Sequence, residues 1–350
     1  MKQVYTSLLV GTCLLLNSCS KNDDTSPAST DTNILSYSIE NKPYGISISN
    51  ASRRINITFP DTVMDAENLI ADFTLSPGCK ATIKNTGQTS GVSKNNYEDL
   101  LVYTVSVSGK SSDWDIISTN NTYTTALGLG NFLQQTASNN CSYPWYIDQM
   151  TTGFDSVDNC GPTATTMACK WSDSTFSKTP HDARMKYRSS SGWWYTDDID
   201  FYLHDNNVTH SFIALASTAD ATAQVLKRQV DLHQLVILCL DMDWVRFTGN
   251  MHYHTDKFYV TTPGWGHFLV IKGYRKVSNE MFFEVYDPNS WAMRNDDGTL
   301  MGQDRYYRAE DLFEATKTWW PYAFIIAKKG AALTERPAQP IKNIPVQYGR

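Results

Sequence analysis

The sequence predicts an α+β chain with two domains, a small all-β domain followed by a larger domain that mixes helices with strands. Its 350 residues exceed the usual size of one domain and suit two. Apolar and polar residues alternate between residues 32 and 120, which is typical of short antiparallel strands. Beyond residue 141 a helical stripe and continuous apolar runs occur together, which indicates a mixed domain.

The first 18 residues have the pattern of a signal peptide. Lys2 precedes an apolar run of 13 residues, 4–16, which is shorter than the roughly 20 residues that span a bilayer. The run leads to Leu16-Asn17-Ser18-Cys19, which resembles the lipobox of bacterial lipoproteins and implies a lipid on Cys19. The following residues, SKNDD, resemble the acidic signal for the outer face of the bacterial outer membrane. Plain secretion with cleavage nearby is the alternative.

The lipid would be followed by a flexible tether and an all-β module. Residues 19–31 are polar and rich in Ser, Thr and Asp, as in flexible linkers. Residues 32–120 read as a small antiparallel sandwich and resemble the immunoglobulin-like modules that often follow lipid anchors, with the role of a spacer or binding stalk. Residues 121–140 are predicted as a linker, and residues 331–350, with three prolines and no periodicity, as a C-terminal extension.

Charge and cysteine content exclude several classes of function. The formal net charge of −6 argues against nucleic acid as the main partner. Of the seven cysteines, Cys13 leaves with the signal peptide and Cys19 takes the lipid, so an odd number remains and at least one thiol is free if all pairing is intramolecular. No Cys-x-x-Cys pair supports a structural zinc site, and no cofactor is predicted.

The segment Cys160-Gly161-Pro162 begins a predicted helix. Proline is tolerated in the first helical turn. Beyond it the apolar residues recur at positions i, i+3, i+4 and i+7, namely Ala164, Met167, Ala168 and Trp171. Cys160 is therefore expected at the helix N-terminus, where the unpaired amides and the helix dipole stabilise a thiolate. Gly161 is expected to leave room for a substrate carbonyl.

A histidine and an aspartate are predicted to meet on a β-hairpin. His267 enters the apolar run FLVIKGY, and Asp287 follows the run FFEVY; the polar residues 276–280 lie between them. Opposite residues of a hairpin are equidistant from its turn, so a turn centred on residue 278 sets His267 opposite residue 289. Asp287 and Asn289 are both within reach of the imidazole, and we favour Asp287 as its partner and Asn289 second.

Taken in order, Gln149, Cys160-Gly161-Pro162, Gly266-His267 and Asp287-Pro288 resemble the papain-like cysteine peptidases of the bacteriocin-processing (double-glycine leader) type. The resemblance covers residues 143–328 and implies a papain-like domain over residues 141–330. It implies Cys160 as nucleophile, His267 as base and Asp287 as third member of a triad. It also implies that Gln149 and the Cys160 N–H bind the oxyanion, with the residues between Gln149 and Cys160 forming a loop longer than is common in that family.

The predicted function is hydrolysis of a peptide or protein substrate. Other acyl transfer, as in a cell-wall peptide amidase or a transglutaminase, is an alternative on the same residues, and an inactive binding lipoprotein is another. His252, His254 and Asp256 suggest a metal site, but the sequence indicates no further ligand. Cys169 is expected in the core or in a disulfide, and Cys239 as an inert buried thiol.

Overall fold

The computed structural model describes residues 31–39, 45–247, 249, 251–317 and 319–333. The predicted signal peptide, Cys19, nearly all of the tether and most of the C-terminal extension lie outside these residues. Within them, no helix is long and apolar enough to cross a membrane.

The N-terminal part of the described chain consists of strands in two sheets. In chain order these are β1 (Ile34–Ile39), β2 (Gly45–Ser49), β3 (Arg54–Thr58), β4 (Leu69–Leu75), β5 (Lys80–Ile83), β6 (Thr86–Gln88), β7 (Lys94–Asn95), β8 (Leu101–Val107) and β9 (Lys110–Thr119). One sheet has the order β1-β4-β7 and the other β2-β3-β9-β8-β5-β6. All pairs are antiparallel except β3 with β9.

The two sheets share one core because alternate residues of their strands point inward. Ile34 and Tyr37 of the first sheet and Ile57, Tyr103 and Trp114 of the second belong to the same buried cluster. The all-β character predicted for residues 32–120 is therefore observed, whereas the likeness to immunoglobulin modules stays a prediction.

The segment predicted as a linker has secondary structure of its own. It contains the short helix α1 (Thr122–Ala126) and the strand β10 (Leu133–Ser138). β10 pairs with a strand of the following domain, so residues 133–138 form part of that domain's sheet. Its sequence, LQQTAS, lacks apolar alternation, so no strand could be predicted here from periodicity.

The following domain consists of one sheet with helices on both faces. Its further elements are α2 (Cys160–Ser172), α3 (Pro180–Lys186), α4 (Thr196–Asp205), β11 (His210–Ala214), α5 (Ala219–Asp231), β12 (Leu235–Asp241), β13 (Gly266–Val277), β14 (Glu280–Tyr286), β15 (Arg305–Arg308), α6 (Ala309–Lys317) and β16 (Tyr322–Ile326). The sheet order is β11-β16-β12-β13-β14-β15, with β10 also paired to β13. Single turns of 3-10 helix occur at Gln149–Thr151, Ser156–Asp158 and Met242–Trp244.

The first six residues of strand β12, LVILCL, are apolar because both faces of the sheet are covered. Leu235, Ile237 and Cys239 pack in the core that contains α2 and α4. Val236 and Leu238 pack on the opposite face, in the core that contains α5 and α6. The chain is therefore a mixed α+β structure, as predicted.

The predicted hairpin is formed by β13 and β14. Val277 pairs with Glu280 across the two-residue turn Ser278-Asn279, and Val270 pairs with Tyr286. Both turn residues have left-handed backbone angles, φ 46° and 68°, as a two-residue type I′ hairpin turn requires. This hairpin brings the chain after β14 back to the beginning of β13, where His267 lies.

Candidate active site

Cys160 is the first residue of α2, as the apolar stripe and Pro162 predict. Its side chain is buried, with 4% of its surface exposed. The Asn159 side chain does not cap this helix, because its Oδ1 accepts from Arg184 instead. Its Nδ2 donates to Thr152 and to the Phe154 carbonyl. The N–H groups of the first helical residues have no intrahelical acceptor, so they and the helix dipole favour negative charge beside the thiol.

His267, the second residue of β13, lies between Cys160 and Asp287. Its Nε2 is 2.7 Å from Asp287 Oδ1, and its imidazole lines the same cleft as the Cys160 side chain. Burial alone would lower the pKa of His267, but the Asp287 carboxylate and the neighbouring Cys160 side chain outweigh it and raise this pKa to about 10. The arrangement therefore favours an imidazolium beside the sulfur.

Asp287 is fully buried and accepts more than the imidazole hydrogen bond. Tyr259 and Tyr307 donate their hydroxyls to Oδ2 at 2.9 and 2.7 Å. The Asn289 N–H donates to Oδ1 at 2.9 Å. Burial acts to raise the pKa of Asp287, but His267 and these donors lower it below its ordinary value, which keeps the carboxylate ionised.

Of the two predicted partners of His267, Asp287 contacts the imidazole, whereas Asn289 contacts Asp287. Asn289 contributes its backbone N–H to Asp287, while its side-chain Oδ1 is buried without a hydrogen-bond partner among the described residues. The hairpin register had indicated either residue, and the geometry distinguishes them.

Gln149 lines the same cleft as Cys160 and His267, but its amide is engaged. Nε2 donates to the carbonyls of Ser156 and Val157 at 3.2 and 3.1 Å, and Oε1 is buried without a partner among the described residues. Both carbonyls belong to the loop between Gln149 and Cys160, whose length the sequence had indicated. The loop is thus accommodated by folding onto the Gln149 side chain.

Gly161 has a different role from the predicted one. A Cβ at this position would lie 2.7 Å from the Trp194 Cβ and 3.4 Å from the Phe268 ring. The missing side chain therefore makes room for Trp194 packed on the helix, not for a substrate carbonyl. The correction has a simple cause, since the sequence does not reveal what packs beside a helix start.

Arg184 is a buried cation beneath the start of α2 that sequence reasoning missed. Its side chain is fully buried and donates to Asn159 Oδ1 at 2.7 Å and to the carbonyls of Asp158 and Gly192 at 2.8 and 2.6 Å. Asp155 lies 3.8 Å from the guanidinium. Arg184 thereby fixes the residues directly before Cys160.

Asp148, which sequence reasoning also missed, ties the Gln149 segment to the loop after Asp287. Its carboxylate accepts from the N–H groups of Ser290 and Ala292 at 3.3 and 2.8 Å. Trp291 and Ala292 have left-handed backbone angles, φ 49° and 57°, which cost of order 1–3 kcal/mol each in non-glycine residues. The two bonds to Asp148 hold this conformation, and with it the Trp291 indole at the cleft.

The cleft at Cys160 has a volume of about 180 Å³ and is rich in tryptophan. Trp193, Trp265 and Trp291 line it and are 37%, 37% and 43% exposed. Its remaining lining residues are Gln149, Val157, Asp158, Cys160, Gly266, His267 and Asn289. Apart from the candidate catalytic residues, the cleft is therefore a largely apolar surface with one carboxylate, that of Asp158.

The other predicted chemistry-bearing residues lie elsewhere. His252 bonds Asp296, His254 bonds the Asp304 carbonyl, and Asp256 pairs with Arg308. No group of three His, Cys, Asp or Glu side chains suited to a metal occurs among the residues described. The five cysteines within them, Cys79, Cys141, Cys160, Cys169 and Cys239, are free, and Cys169 and Cys239 are buried in the core beside α2.

Comparison with known proteins relates this domain to a peptidase family. The model of the Peptidase_C39-like family matches residues 143–312, a segment that contains Gln149, Cys160, His267 and Asp287. No curated protein matches the chain. The match supports a cysteine peptidase at the level of the family.

Two solved structures are similar to parts of the chain. One, described as a C39-like peptidase from Bacillus anthracis, is 13% identical, covers 55% of this chain and 98% of its own, and has a TM-score of 0.37. The other, described as a glycoside hydrolase from Bacteroides thetaiotaomicron, is 12% identical, covers 85% of this chain and 96% of its own, and has a TM-score of 0.22. At TM-scores this low neither likeness carries an argument, so the relation to the C39-like peptidases rests on the family model alone.

Proposed function

We propose that the chain hydrolyses peptide bonds as a cysteine peptidase with the triad Cys160, His267 and Asp287. The observation that carries the proposal is the buried imidazole of His267, which bonds an ionised carboxylate and shares its cleft with the thiol at a helix N-terminus. A nucleophile, a base and a residue that orients the base are the parts that acyl transfer by a thiol needs.

The reaction would proceed through a thioester. Cys160 transfers its proton to His267, and the thiolate attacks the carbonyl carbon of the scissile bond. The His267 imidazolium then protonates the leaving amine as the C–N bond breaks. The imidazole next takes a proton from water, whose oxygen attacks the thioester and releases the acid, and the thiol is restored. Asp287 holds the ring and stabilises its charged form throughout.

The oxyanion would be bound by the Cys160 N–H and the Gln149 amide. The position of Gln149 in the cleft supports this role. Because its amide hydrogens already bond two carbonyls, one of these bonds must be exchanged for the oxyanion. Replacing Gln149 by Ala should lower kcat by roughly 10²–10³.

The test is cleavage of a peptide library with mass-spectrometric identification of the sites. Cys160→Ala should abolish turnover, and Cys141→Ser, which removes a half-buried thiol outside the cleft, should leave it unchanged. Labelling by a thiol-directed electrophile should be mapped by peptide, because Cys79 and Cys141 are also partly exposed. Full activity of Cys160→Ala would overturn the proposal. Turnover that requires an added amine would indicate transfer rather than hydrolysis.

We also propose that a lipid on Cys19 attaches the protein to the bacterial outer membrane and that residues 32–120 serve as a spacer. The lipobox-like sequence Leu16-Asn17-Ser18-Cys19 supports this attachment. The mature protein should partition into detergent and carry a lipid mass on its first residue. Cys19→Ser should abolish both, and an unmodified, water-soluble wild-type protein would argue for plain secretion.

A further inference from the structure

Asp158 is the only acidic residue among the described residues that line the cleft. Asp158 lines the cleft and, among the described residues, its side chain takes part in no ion pair. The Arg184 guanidinium donates to the Asp158 carbonyl, and its salt bridge is with Asp155. Burial and the neighbouring Asp155 raise the pKa of Asp158 by more than the attraction of Arg184 lowers it, as expected for a carboxylate whose cationic neighbour forms its ion pair with another residue.

The charges around the cleft are negative in excess. Asp155, Asp158 and Asp287 each carry one negative charge, and a Cys160 thiolate would add a fourth. Against these, the described residues that contact this group of acids supply the positive charges of Arg184 and the His267 imidazolium, both on groups that are already bonded. A cation entering the cleft would therefore be attracted, whereas an anion would be repelled.

The walls of the cleft suit a cation as well. Trp193, Trp265 and Trp291 are all partly exposed there, and the indole face is the aromatic surface that attracts cations best. An alkylammonium chain can place its methylene groups on the rings and its charge on a carboxylate. Few other ligand groups would contact both the indole rings and the carboxylate.

We propose that Asp158 and these tryptophans select substrates with a positively charged group within two residues of the scissile bond. The inference rests on the proposed peptidase function and names its substrate class. Asp158 is two residues from Cys160, so their Cα atoms are at most about 7 Å apart. A lysine or arginine side chain, or a free amino terminus, next to the bond attacked by Cys160 can therefore reach the carboxylate.

The test compares matched peptides that differ only in this charge. Blocked peptides with lysine or norleucine at each position near the cleavage site measure the side-chain effect, and the same peptides with free or acetylated amino termini measure the effect of a terminal ammonium. We expect wild-type kcat/KM to favour the charged member by roughly tenfold, the scale of one charge-assisted hydrogen bond. Asp158→Asn should abolish the preference, Asp158→Glu should retain most of it, and Asp220→Asn, which removes an exposed charge outside the cleft, should not change it.

Binding to the Cys160→Ala variant separates this inference from the proposed function. Tryptophan fluorescence should report tighter binding of the lysine peptide than of the norleucine peptide, whether or not wild type hydrolyses either. The loss of preference in Asp158→Asn is evidence for the inference only if this variant has the thermal stability of wild type. If it is less stable, the inference is tested instead by the Asp158→Glu variant and by the weakening of the charge preference with added salt. Equal binding and equal kcat/KM for charged and uncharged peptides would overturn the inference. If Cys160→Ala binds the charged peptide selectively but wild type hydrolyses no peptide, the proposed peptidase function is refuted and the inference about charge is not.

Discussion

Replacement of Asp287 by Asn tests whether the charge of this buried side chain, rather than its shape, controls His267. At 2.7 Å the attraction between carboxylate and imidazolium is roughly 6 kcal/mol with an effective dielectric constant of 20. The rise in the pKa of His267 from 6.5 to about 10 corresponds to roughly 5 kcal/mol, because burial offsets part of the attraction. The Coulomb energy and the free energy that corresponds to the pKa shift therefore agree on the size of the stabilisation of the imidazolium.

The asparagine should fold into the same place. Its carbonyl oxygen can accept from His267 and from the Asn289 N–H, as Oδ1 does now. Its amide can donate to the hydroxyls of Tyr259 and Tyr307, which can rotate to accept. The ring of His267 thus stays oriented, and the principal change is the loss of the negative charge.

We expect kcat/KM of Asp287→Asn to fall several thousandfold at neutral pH, the equivalent of about 5 kcal/mol. Burial then acts on the imidazole without the opposing carboxylate, so the pKa of His267 should fall below 6.5. The alkaline limb of the pH profile of kcat/KM should accordingly move from near pH 10 to below pH 6.5. Steady-state kinetics between pH 4 and 11 measures both effects.

Two controls separate charge from packing. Tyr307→Phe removes one hydrogen bond to Asp287 but keeps the carboxylate. We therefore expect kcat/KM to fall by the equivalent of roughly 1.5–3 kcal/mol, the scale of a hydrogen bond to a charged group, with no comparable shift of the alkaline limb. Asp296→Asn, an exposed carboxylate that pairs with His252, should behave as wild type. An Asp287→Asn enzyme within tenfold of wild type, with its alkaline limb unmoved, would refute the assigned role of the carboxylate.

The same pair makes stability depend on pH in a defined direction. The pKa of His267 is raised on folding, so its contribution is complete below pH 6.5 and is lost as the pH rises through about 10. The pKa of Asp287 is lowered, so its contribution is present above 3.8 and is lost as the pH falls through its folded value. The difference in Tm between wild type and Asp287→Asn should therefore be largest near pH 4–6.5; a difference that grows towards pH 11 would contradict this sign.

Three further substitutions test the supports of the site. Gly161→Ala should destabilise the protein by about 1–3 kcal/mol in urea unfolding, because its Cβ would displace Trp194; wild-type stability would contradict the packing. Arg184→Met should cost about 3–5 kcal/mol by leaving buried acceptors unpaired, and Arg184→Lys should not restore it, since lysine lacks the planar fork. Asp148→Ala should release the loop that carries Trp291 and raise KM. Unchanged KM and kcat would show that the loop keeps its conformation without Asp148.

The sequence predicted those features that depend on short stretches of chain. The start of α2 follows from Pro162 and one apolar stripe, and the observed helix begins at Cys160. The pairing of His267 with Asp287 follows from the length of one hairpin, whose observed turn lies within a residue of the predicted centre. In both cases a spacing of at most 20 residues determines the geometry.

Features that depend on distant segments were beyond prediction. Arg184 is 25 residues from the Asn159 that it fixes, and Asp148 is 144 residues from Ala292. Tyr259 lies outside the regular strands, in a segment without periodicity, so nothing in its surroundings signals a bond to Asp287. Each of these side chains acts through a polar contact that only the folded chain creates, and polar residues leave no periodic trace along the sequence.

These distant contacts join the two sides of the candidate active site. The Gln149 N–H donates to the Pro288 carbonyl at 2.8 Å, and the Tyr146 hydroxyl donates to the Asp287 carbonyl at 2.8 Å. With the bonds of Asp148, they fasten the segment of the proposed oxyanion donor to the segment of the triad carboxylate. A displacement of either segment therefore moves the other, so substitutions at Gln149 and in the loop after Asp287 should give non-additive losses of kcat in double-mutant cycles. Orientation of the imidazole and binding of the oxyanion thus depend on one hydrogen-bonded unit.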